Sequence, residues 1–314
     1  MAVPAVDAGA VVTSGPQDRR RLTSGGTSTD AFGITEWGLL AAIATIWGSS
    51  FFFMAVGLET LRPGVITMAR LALGAMTLGL VPRARTPVER SDLWRVGVLG
   101  VVWMGVPLTL FPVAQQWIDS SVAGMINGAM PITTAAWAAV LARRVQGRRQ
   151  LAGIAVGFVG VVAVFLPELR GSSATALGAG LVGLAVVLYG LAANLAVPLQ
   201  QRYGALPIML RAQLAALVVV VPMGILQLPG SRFAWQPVLA MLPLGVLGTG
   251  LAFSLMATLV GRVGGPRGSV AVYFVPIVAV VLGVLVRGEQ AAPIALFGVV
   301  LVFVGVWTTS RRES

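Results

Sequence analysis

The chain of 314 residues contains no cysteine, no histidine and no lysine, and charged residues make up only 11% of it. Without cysteine it forms no disulfide and no thiolate metal site, and without histidine it lacks the usual zinc ligand and acid–base catalyst. We therefore predict no enzymatic activity, no catalytic residue, no metal site and no cofactor. A soluble domain carries about 25% charged residues, so the scarcity of charge also argues against a water-soluble protein.

Apolar sequence takes the place of the missing charge, since 57% of the residues are hydrophobic and the mean hydropathy is +0.88. From Trp37 onward the chain contains apolar runs of about 18–23 residues, each long enough to cross a bilayer as a helix. The predicted fold is an all-α integral membrane protein with ten transmembrane helices. The predicted spans are 37–57, 64–82, 93–113, 121–142, 150–167, 177–199, 205–227, 237–259, 267–286 and 292–309.

The net charge of +11 comes from arginines clustered between the apolar runs, which indicates membrane topology and not a nucleic-acid partner. Residues 1–35 are rich in Ala, Gly, Ser and Thr, and we predict a disordered cytoplasmic tail there. With the N-terminus inside, sixteen arginines fall on the cytoplasmic side and four on the other. Both termini, including the short tail 310–314, are therefore expected in the cytoplasm of a multi-pass cell-membrane protein.

The membrane part of the sequence contains an internal repeat. Moving residues 120–166 forward by 145 positions superposes three matching pairs, Pro131 on Pro276, Gly153 on Gly298 and Gly160 on Gly305. A slightly shorter offset places Trp47 over Tyr189 and Arg70 over Arg211. We predict two repeats, 37–167 and 177–309. Each holds five helices, an odd number, so the second repeat must be inverted relative to the first.

Short segments in both halves follow a family pattern in their order and spacing. They are IWGSSFFF at 46–53, Arg70 within TMARLALGA, LAGIAVGFVGVV at 151–162, Arg211, GSVAVYFVP at 268–276 and FGVVLVFVGV at 297–306. Over roughly residues 37–310 the chain resembles the EamA-type family of the drug/metabolite transporter superfamily. The resemblance implies a membrane transporter, with amino acids as the first expected substrates.

One position departs from the pattern of that family. Its members usually carry an acidic residue at the outgoing end of the fourth helix of each repeat, as Glu289 does in the second half. The first half has Arg144 there. A functional pair of symmetric carboxylates is therefore not expected in this chain.

Two inverted halves place a binding site near the middle of the membrane, between them. The candidates are polar and aromatic residues midway along the helices, and they include Ser49, Thr109 and Thr249. From this set we predict substrate binding by Trp47, Ser50, Trp103, Asn127, Tyr189, Asn194, Ser254 and Tyr273. The alternative for the two asparagines is a hydrogen bond across a helix interface. For the aromatic residues it is packing or anchoring at the membrane surface.

Two further pairs have two interpretations each. Arg70 and Arg211 lie about two turns inside their helices, so they either anchor a carboxylate or phosphate of a substrate or tie helices together within the fold. The duplication favours the structural role. Pro131 and Pro276 are expected to kink their helices, and the kinks serve either as gating hinges or as static packing features.

The predicted function is the export of small neutral, zwitterionic or anionic metabolites by alternating access. Because no acidic residue is predicted mid-span, we expect facilitated or exchange-type movement, or coupling through an end carboxylate such as Glu289. The alternative is a flippase for lipids or lipid-linked sugars. The expected partners are a small-molecule substrate and the lipid bilayer, and the expected state is a monomer or homodimer.

Overall fold

The structure is a computed structural model, and it describes residues 27–118, 120–142, 145–167, 175–278, 281 and 292–311. Three predictions concern residues outside these ranges. They are the tail from position 1 to 26, Arg144 and Glu289. The described residues form helices joined by turns, with no strand among them. The prediction of an all-α protein is confirmed.

Most helices are long, and they are numbered here in chain order. They are α1 (Ile34–Leu58), α2 (Pro63–Gly79), α3 (Arg90–Ala114), α4 (Ser120–Asn127), α5 (Met130–Ala142), α6 (Arg148–Phe165), α7 (Ala176–Tyr203), α8 (Ala205–Gln227), α9 (Trp235–Val263), α10 (Gly265–Ser269) and α11 (Pro293–Ser310). Short 3₁₀ turns occupy Pro82–Arg85, Leu228–Gly230 and Val270–Phe274. Within the described residues, eight helical segments are long and apolar enough to cross a membrane, with α4 and α5 counted together, and α2 is a shorter apolar helix.

Large apolar side chains cover the outside of the bundle. Val218, Leu226 and Trp235 are among those that are mostly exposed. A soluble monomer rarely shows an apolar surface of this extent, whereas lipid tails solvate it well. The chain is therefore an integral membrane protein.

Two helices contain a π turn in mid-course, Val101–Gly105 in α3 and Val246–Leu251 in α9. The starts of these turns are separated by the same 145 residues that relate the two halves of the sequence. A π turn inserts one extra residue into the helical ladder and changes the direction of the carbonyls around it. Both interruptions lie at mid-helix, beside the centre of the bundle.

The fourth predicted span, 121–142, forms two helices instead of one. The chain turns at residues 128 and 129, and Pro131 is then the second residue of α5. Proline is tolerated in the first helical turn because the amide there has no partner within the helix. Pro276 lies in the helical stretch 275–278, directly after the 3₁₀ turn Val270–Phe274. Both prolines thus lie beside a helix interruption.

Corresponding helices of the two halves pack against each other. Helices α6 and α11 run antiparallel, since Gly153 faces Thr309 while Gly160 faces Val302. A Cβ atom added at Gly160 would lie only 2.6 Å from the backbone nitrogen of Val302, so the two backbones are in direct contact. Helices α2 and α8 are antiparallel in the same way, because Gly64 faces Gln227 and Gly74 faces Gln213.

Candidate functional site

A cavity lies between the two halves of the bundle. Helices α1, α2, α3, α7 and α9 contribute to its wall, together with the break between α4 and α5 and the turn that follows α10. Its lining residues are Trp47, Ser50, Met54, Arg70, Trp103, Leu108, Phe111, Asn127, Met130, Tyr189, Phe253, Val272 and Val275. Six of the predicted site residues are therefore brought to one cavity.

Arg70 is the only charged residue among the described residues that line the cavity. Its side chain is 5% exposed, and its Nε donates a hydrogen bond of 3.0 Å to Oγ1 of Thr249. Within the described residues that is its single hydrogen bond, and no carboxylate forms an ion pair with it. Both terminal nitrogens of the guanidinium are therefore left to the cavity, where a buried cation without a counter-ion is costly.

Asn127 and Tyr189 add neutral polar groups to the cavity. Oδ1 of Asn127 is buried and accepts no hydrogen bond within the described residues. The ring of Tyr189 stacks on that of Phe111 with a centroid distance of 5.9 Å, and both residues line the cavity. An unsatisfied buried carbonyl costs about 1–3 kcal/mol, so a further donor at this oxygen would be favourable.

Aromatic rings form the apolar wall. Phe253 contacts Trp47 and Trp103 edge to face, with centroid distances of 5.2 and 5.8 Å. The indole nitrogen of Trp47 donates a 3.0 Å hydrogen bond to the carbonyl oxygen of Gly248, which lies in the π turn of α9. This bond fixes one ring of the wall across the interface between α1 and α9.

The other predicted site residues point elsewhere. Asn194 donates from Nδ2 to the carbonyls of Thr134 and Gly190, both at 2.9 Å. The hydroxyl of Tyr273 donates to the carbonyl of Ile154, and that of Ser254 to the carbonyl of Gly250. None of these three residues lines the cavity, and each bonds within the fold.

Arg211 does not share the environment of Arg70. Its Nη1 donates to the carbonyls of Pro207 and Ala84, at 3.1 and 3.3 Å, near the start of α8. It is not among the lining residues. The two arginines therefore differ. The contacts of Arg211 fit a structural role, whereas Arg70 faces the cavity, where a substrate anchor would lie.

Several lining residues were missed by the sequence analysis, namely Met54, Leu108, Phe111, Met130, Phe253, Val272 and Val275. Most are ordinary apolar residues of a membrane helix, and nothing in their type distinguishes a cavity wall from a lipid-facing surface. The sequence analysis also did not consider Gln213, which does not line the cavity but bonds to the backbone of Thr249. A glutamine in the middle of an apolar helix is a polar residue that could have been noticed.

Ion pairs join the two halves at one end of the bundle. Asp92 on α3 accepts from Nη1 of Arg202 at 2.6 Å and from the hydroxyl of Tyr203 at 2.7 Å, both at the end of α7. Glu36 on α1 accepts from Nε of Arg262, on α9, at 2.7 Å. The cavity lining extends toward the opposite end, where α1 ends after Met54 and α3 ends after Phe111.

The polar groups of the cavity are one guanidinium, one amide, the hydroxyl of Tyr189 and that of Ser50, within aromatic walls. The hydroxyl of Ser50 donates to the carbonyl of Ile46 at 2.7 Å, so it offers a solute only its lone pairs. No group of carboxylates able to hold a metal ion occurs in the part of the chain that the structure describes. A cation with two free nitrogens suits a carboxylate, and the aromatic faces suit an apolar body or an ammonium group. The arrangement favours an anionic or zwitterionic solute.

Comparison with known proteins gives two matches to one family and full-length relatives. The EamA-like transporter family matches residues 36–166 and again residues 176–311. The chain is 27% identical to a probable terminal-alkyne amino-acid exporter of Streptantibioticus cattleyicolor, over 88% of this chain and 93% of that protein. It is 25% identical to a probable amino-acid metabolite efflux pump of Salmonella typhimurium, over 86% and 92%. A solved crystal structure with 16% identity has a similar fold, with a TM-score of 0.71 over 86% of this chain and 94% of the other.

Proposed function

Because this chain belongs to the EamA-like transporter family, we propose that it exports small amino-acid-like metabolites across the cell membrane by alternating access. The observation that carries the proposal is the set of unpaired polar groups in the cavity, above all Arg70. Amino-acid-like solutes are the class named for the two relatives. A buried guanidinium facing aromatic walls suits the carboxylate of such a solute.

The proposed architecture is ten transmembrane helices in two inverted repeats, with both termini in the cytoplasm. It is supported by the two family matches and by the two π turns at equal positions in the halves. The antiparallel packing of α2 with α8 and of α6 with α11 is what inversion requires of equivalent helices. In this topology the ion pairs of Glu36 and Asp92 lie at the cytoplasmic end.

We propose that Arg70 binds the carboxylate, that Asn127 accepts a donor from the solute, and that Trp47, Trp103 and Tyr189 enclose its body. Ser50 completes the polar part of the wall. Asn194, Ser254, Tyr273 and Arg211 hold the fold around this site. None of these four residues lines the cavity, and each donates a hydrogen bond to a backbone carbonyl of the protein.

Alternating access requires the ion-paired end to open and the other to close. The helix interruptions beside Pro131 and Pro276 are the proposed hinges, since a break in the backbone ladder concentrates bending there. No carboxylate lines the described cavity, so we propose exchange or facilitated movement, with Glu289 as the group that would couple it to another ion.

The test uses the full-length protein in liposomes loaded with unlabelled solute, followed by uptake of radiolabelled L-leucine, L-phenylalanine and L-threonine and of their carboxamides. We expect counterflow of at least one amino acid and little of its amide. Arg70→Gln should raise the KM for the amino acid about 100-fold, since a hydrogen-bonded charge is lost. Arg211→Gln is the matched control, and it should change the KM less than threefold.

The same liposomes with a fluorescent phospholipid measure lipid movement. Scrambling of the lipid without flux of any solute would overturn the carrier and favour a lipid flippase. Equal transport of the amino acids and their amides, unchanged in Arg70→Gln, would remove Arg70 from the site while leaving the carrier in place.

A further inference from the structure

Thr249 lies in the π turn of α9, beside Arg70, and its bonds are unusual for a threonine in a helix. Its hydroxyl donates to the carbonyl oxygen of Leu244, five residues earlier, at 3.1 Å. A threonine in a regular helix usually bonds back three or four residues instead. With its hydrogen used there, Oγ1 has only lone pairs to offer in other directions. One of them accepts Nε of Arg70 at 3.0 Å.

A second contact holds Thr249 itself in place. Nε2 of Gln213, on α8, donates a 3.0 Å hydrogen bond to the backbone oxygen of Thr249. Both residues are fully buried. The amide of Gln213 also sits against Gly74, one turn after Arg70 on α2, where an added Cβ would lie 2.8 Å from Oε1. Gln213 therefore links α2 and α8 to the π turn of α9.

These contacts leave Arg70 with a fixed direction. An arginine side chain has four rotatable bonds and loses about 2 kcal/mol of rotamer entropy when it is held in one position. Within the described residues, only the bond from Nε to Thr249 constrains the guanidinium. Because Nε takes up that bond, Nη1 and Nη2 remain for a carboxylate, which the planar guanidinium binds with two parallel hydrogen bonds.

The equivalent position in the first half does not reproduce this arrangement. The offset of 145 residues places Met104, in the π turn of α3, at the position of Thr249. A thioether is a poor hydrogen-bond acceptor, and Arg211 bonds to backbone carbonyls instead. The hydroxyl and the cavity-facing arginine thus occur together, in one of the two symmetric places.

We propose that Thr249 is the positioning residue of the anion site, holding the guanidinium of Arg70 so that its two terminal nitrogens face the carboxylate of the solute. The proposal rests on the function proposed above for Arg70. It adds that the affinity for carboxylate solutes depends on a hydroxyl that itself contacts no solute, supplied by the π turn.

The test is the kinetics of counterflow with the same amino acids and their carboxamides. Thr249→Val removes the acceptor at nearly constant volume, and it should raise the KM for the amino acid about tenfold with the maximal rate changed less than twofold. Thr249→Ser keeps the hydroxyl and should restore the KM to within threefold of the parent value. The weak transport of the amide should be the same in all three proteins.

Thr258→Val is the matched control. Thr258 lies on the same helix, and among the described residues its hydroxyl bonds only to the carbonyl of Ser254. The substitution should leave the KM unchanged. Thr249→Ala repeats the test without a β-branched side chain should the valine variant fail to fold.

The outcomes separate the two proposals. A normal KM in both Thr249→Val and Thr249→Ala, with a raised KM in Arg70→Gln, would overturn the role of Thr249 alone. A normal KM in Arg70→Gln would overturn both. An equal fall in the maximal rate for the amino acid and for the amide, with the KM unchanged, would reduce Thr249 to a structural residue.

Discussion

The two halves of the chain are alike at the contact between α6 and α11, and they differ at the wall of the cavity. At the contact the halves match, since Gly153 and Gly160 on one helix correspond to Gly298 and Gly305 on the other, 145 residues later. All four glycines lie against the backbone of the partner helix. At the cavity wall the halves differ, because one arginine faces the cavity and its counterpart faces carbonyls of the protein.

The difference follows from what each region has to do. Two antiparallel helices that meet about a pseudo-twofold axis present the same surface to each other, so one solution to close packing serves both. A solute such as an amino acid has no twofold symmetry, and a site that holds its two unlike ends gains nothing from two identical walls. The internal symmetry is therefore retained where helices pack against each other and lost among the side chains that face the cavity.

The largest expected effect is on the symmetric contact. Gly160→Leu forces a side chain between two touching backbones, and overpacking of this kind costs about 1–3 kcal/mol or more. Gly305→Leu should be as harmful, since an added Cβ there would lie 2.6 Å from Cα of Gly157. Gly183→Leu is the control, as nothing lies within 4 Å of its added Cβ. The measurement is the thermal unfolding of the purified protein, and a much smaller shift in one of the two variants than in the other would break the symmetry argument.

The sequence predicted the symmetric part well. Apolar runs, arginine distribution and the 145-residue repeat predicted an all-helical membrane protein, because lipid imposes strict rules on helix length and charge. The resemblance to the EamA-type family, on segments such as IWGSSFFF, is confirmed by the two family matches. The predictions of repeat boundaries and orientation stay with the proposed function.

The asymmetric part was beyond the sequence. Arg70 and Arg211 occupy matching positions, and only the structure shows that Thr249 stands beside the first. Whether a polar residue such as Asn127 or Asn194 faces a cavity or a neighbouring carbonyl depends on the rotation of its helix. The π turns were missed as well, since a single extra residue in a helical ladder leaves no pattern in an apolar run.

The next effect separates two asparagines that the sequence could not tell apart. Asn194→Leu removes two hydrogen bonds made across and along helices, and it should lower the free energy of unfolding by about 1–2 kcal/mol while the KM stays the same. Asn127→Leu removes a buried oxygen that has no partner among the described residues, so stability should be unchanged or improved. Its KM for the amino acid should rise about tenfold. The measurements are thermal unfolding and counterflow of both variants. The same change in stability and the same change in KM in the two variants would contradict this division.

The smallest effect concerns the ion pairs that join the halves at one end. Asp92 is buried and binds Arg202, Tyr203 and Arg95. Glu36 is buried as well, but it is paired with Arg262, whose side chain is 50% exposed. A pair with a half-exposed arginine contributes about 0–1 kcal/mol, and a buried carboxylate that accepts from three side chains contributes more. Asp92→Asn should therefore shift the conformational equilibrium about fivefold toward opening at that end, and Glu36→Gln less than twofold.

The absence of cysteine makes this shift measurable. Ser50→Cys places a single thiol in the cavity, and an impermeant thiol reagent added to either face of vesicles reports which end is open. If the ion-paired end is the cytoplasmic gate, Asp92→Asn should speed labelling from the cytoplasmic face and slow it from the other, because one population grows at the expense of the other. Faster labelling from both faces would mean a loosened bundle. Equal shifts in Asp92→Asn and Glu36→Gln would mean that the number of side chains bound to the carboxylate does not decide how firmly the halves are held together.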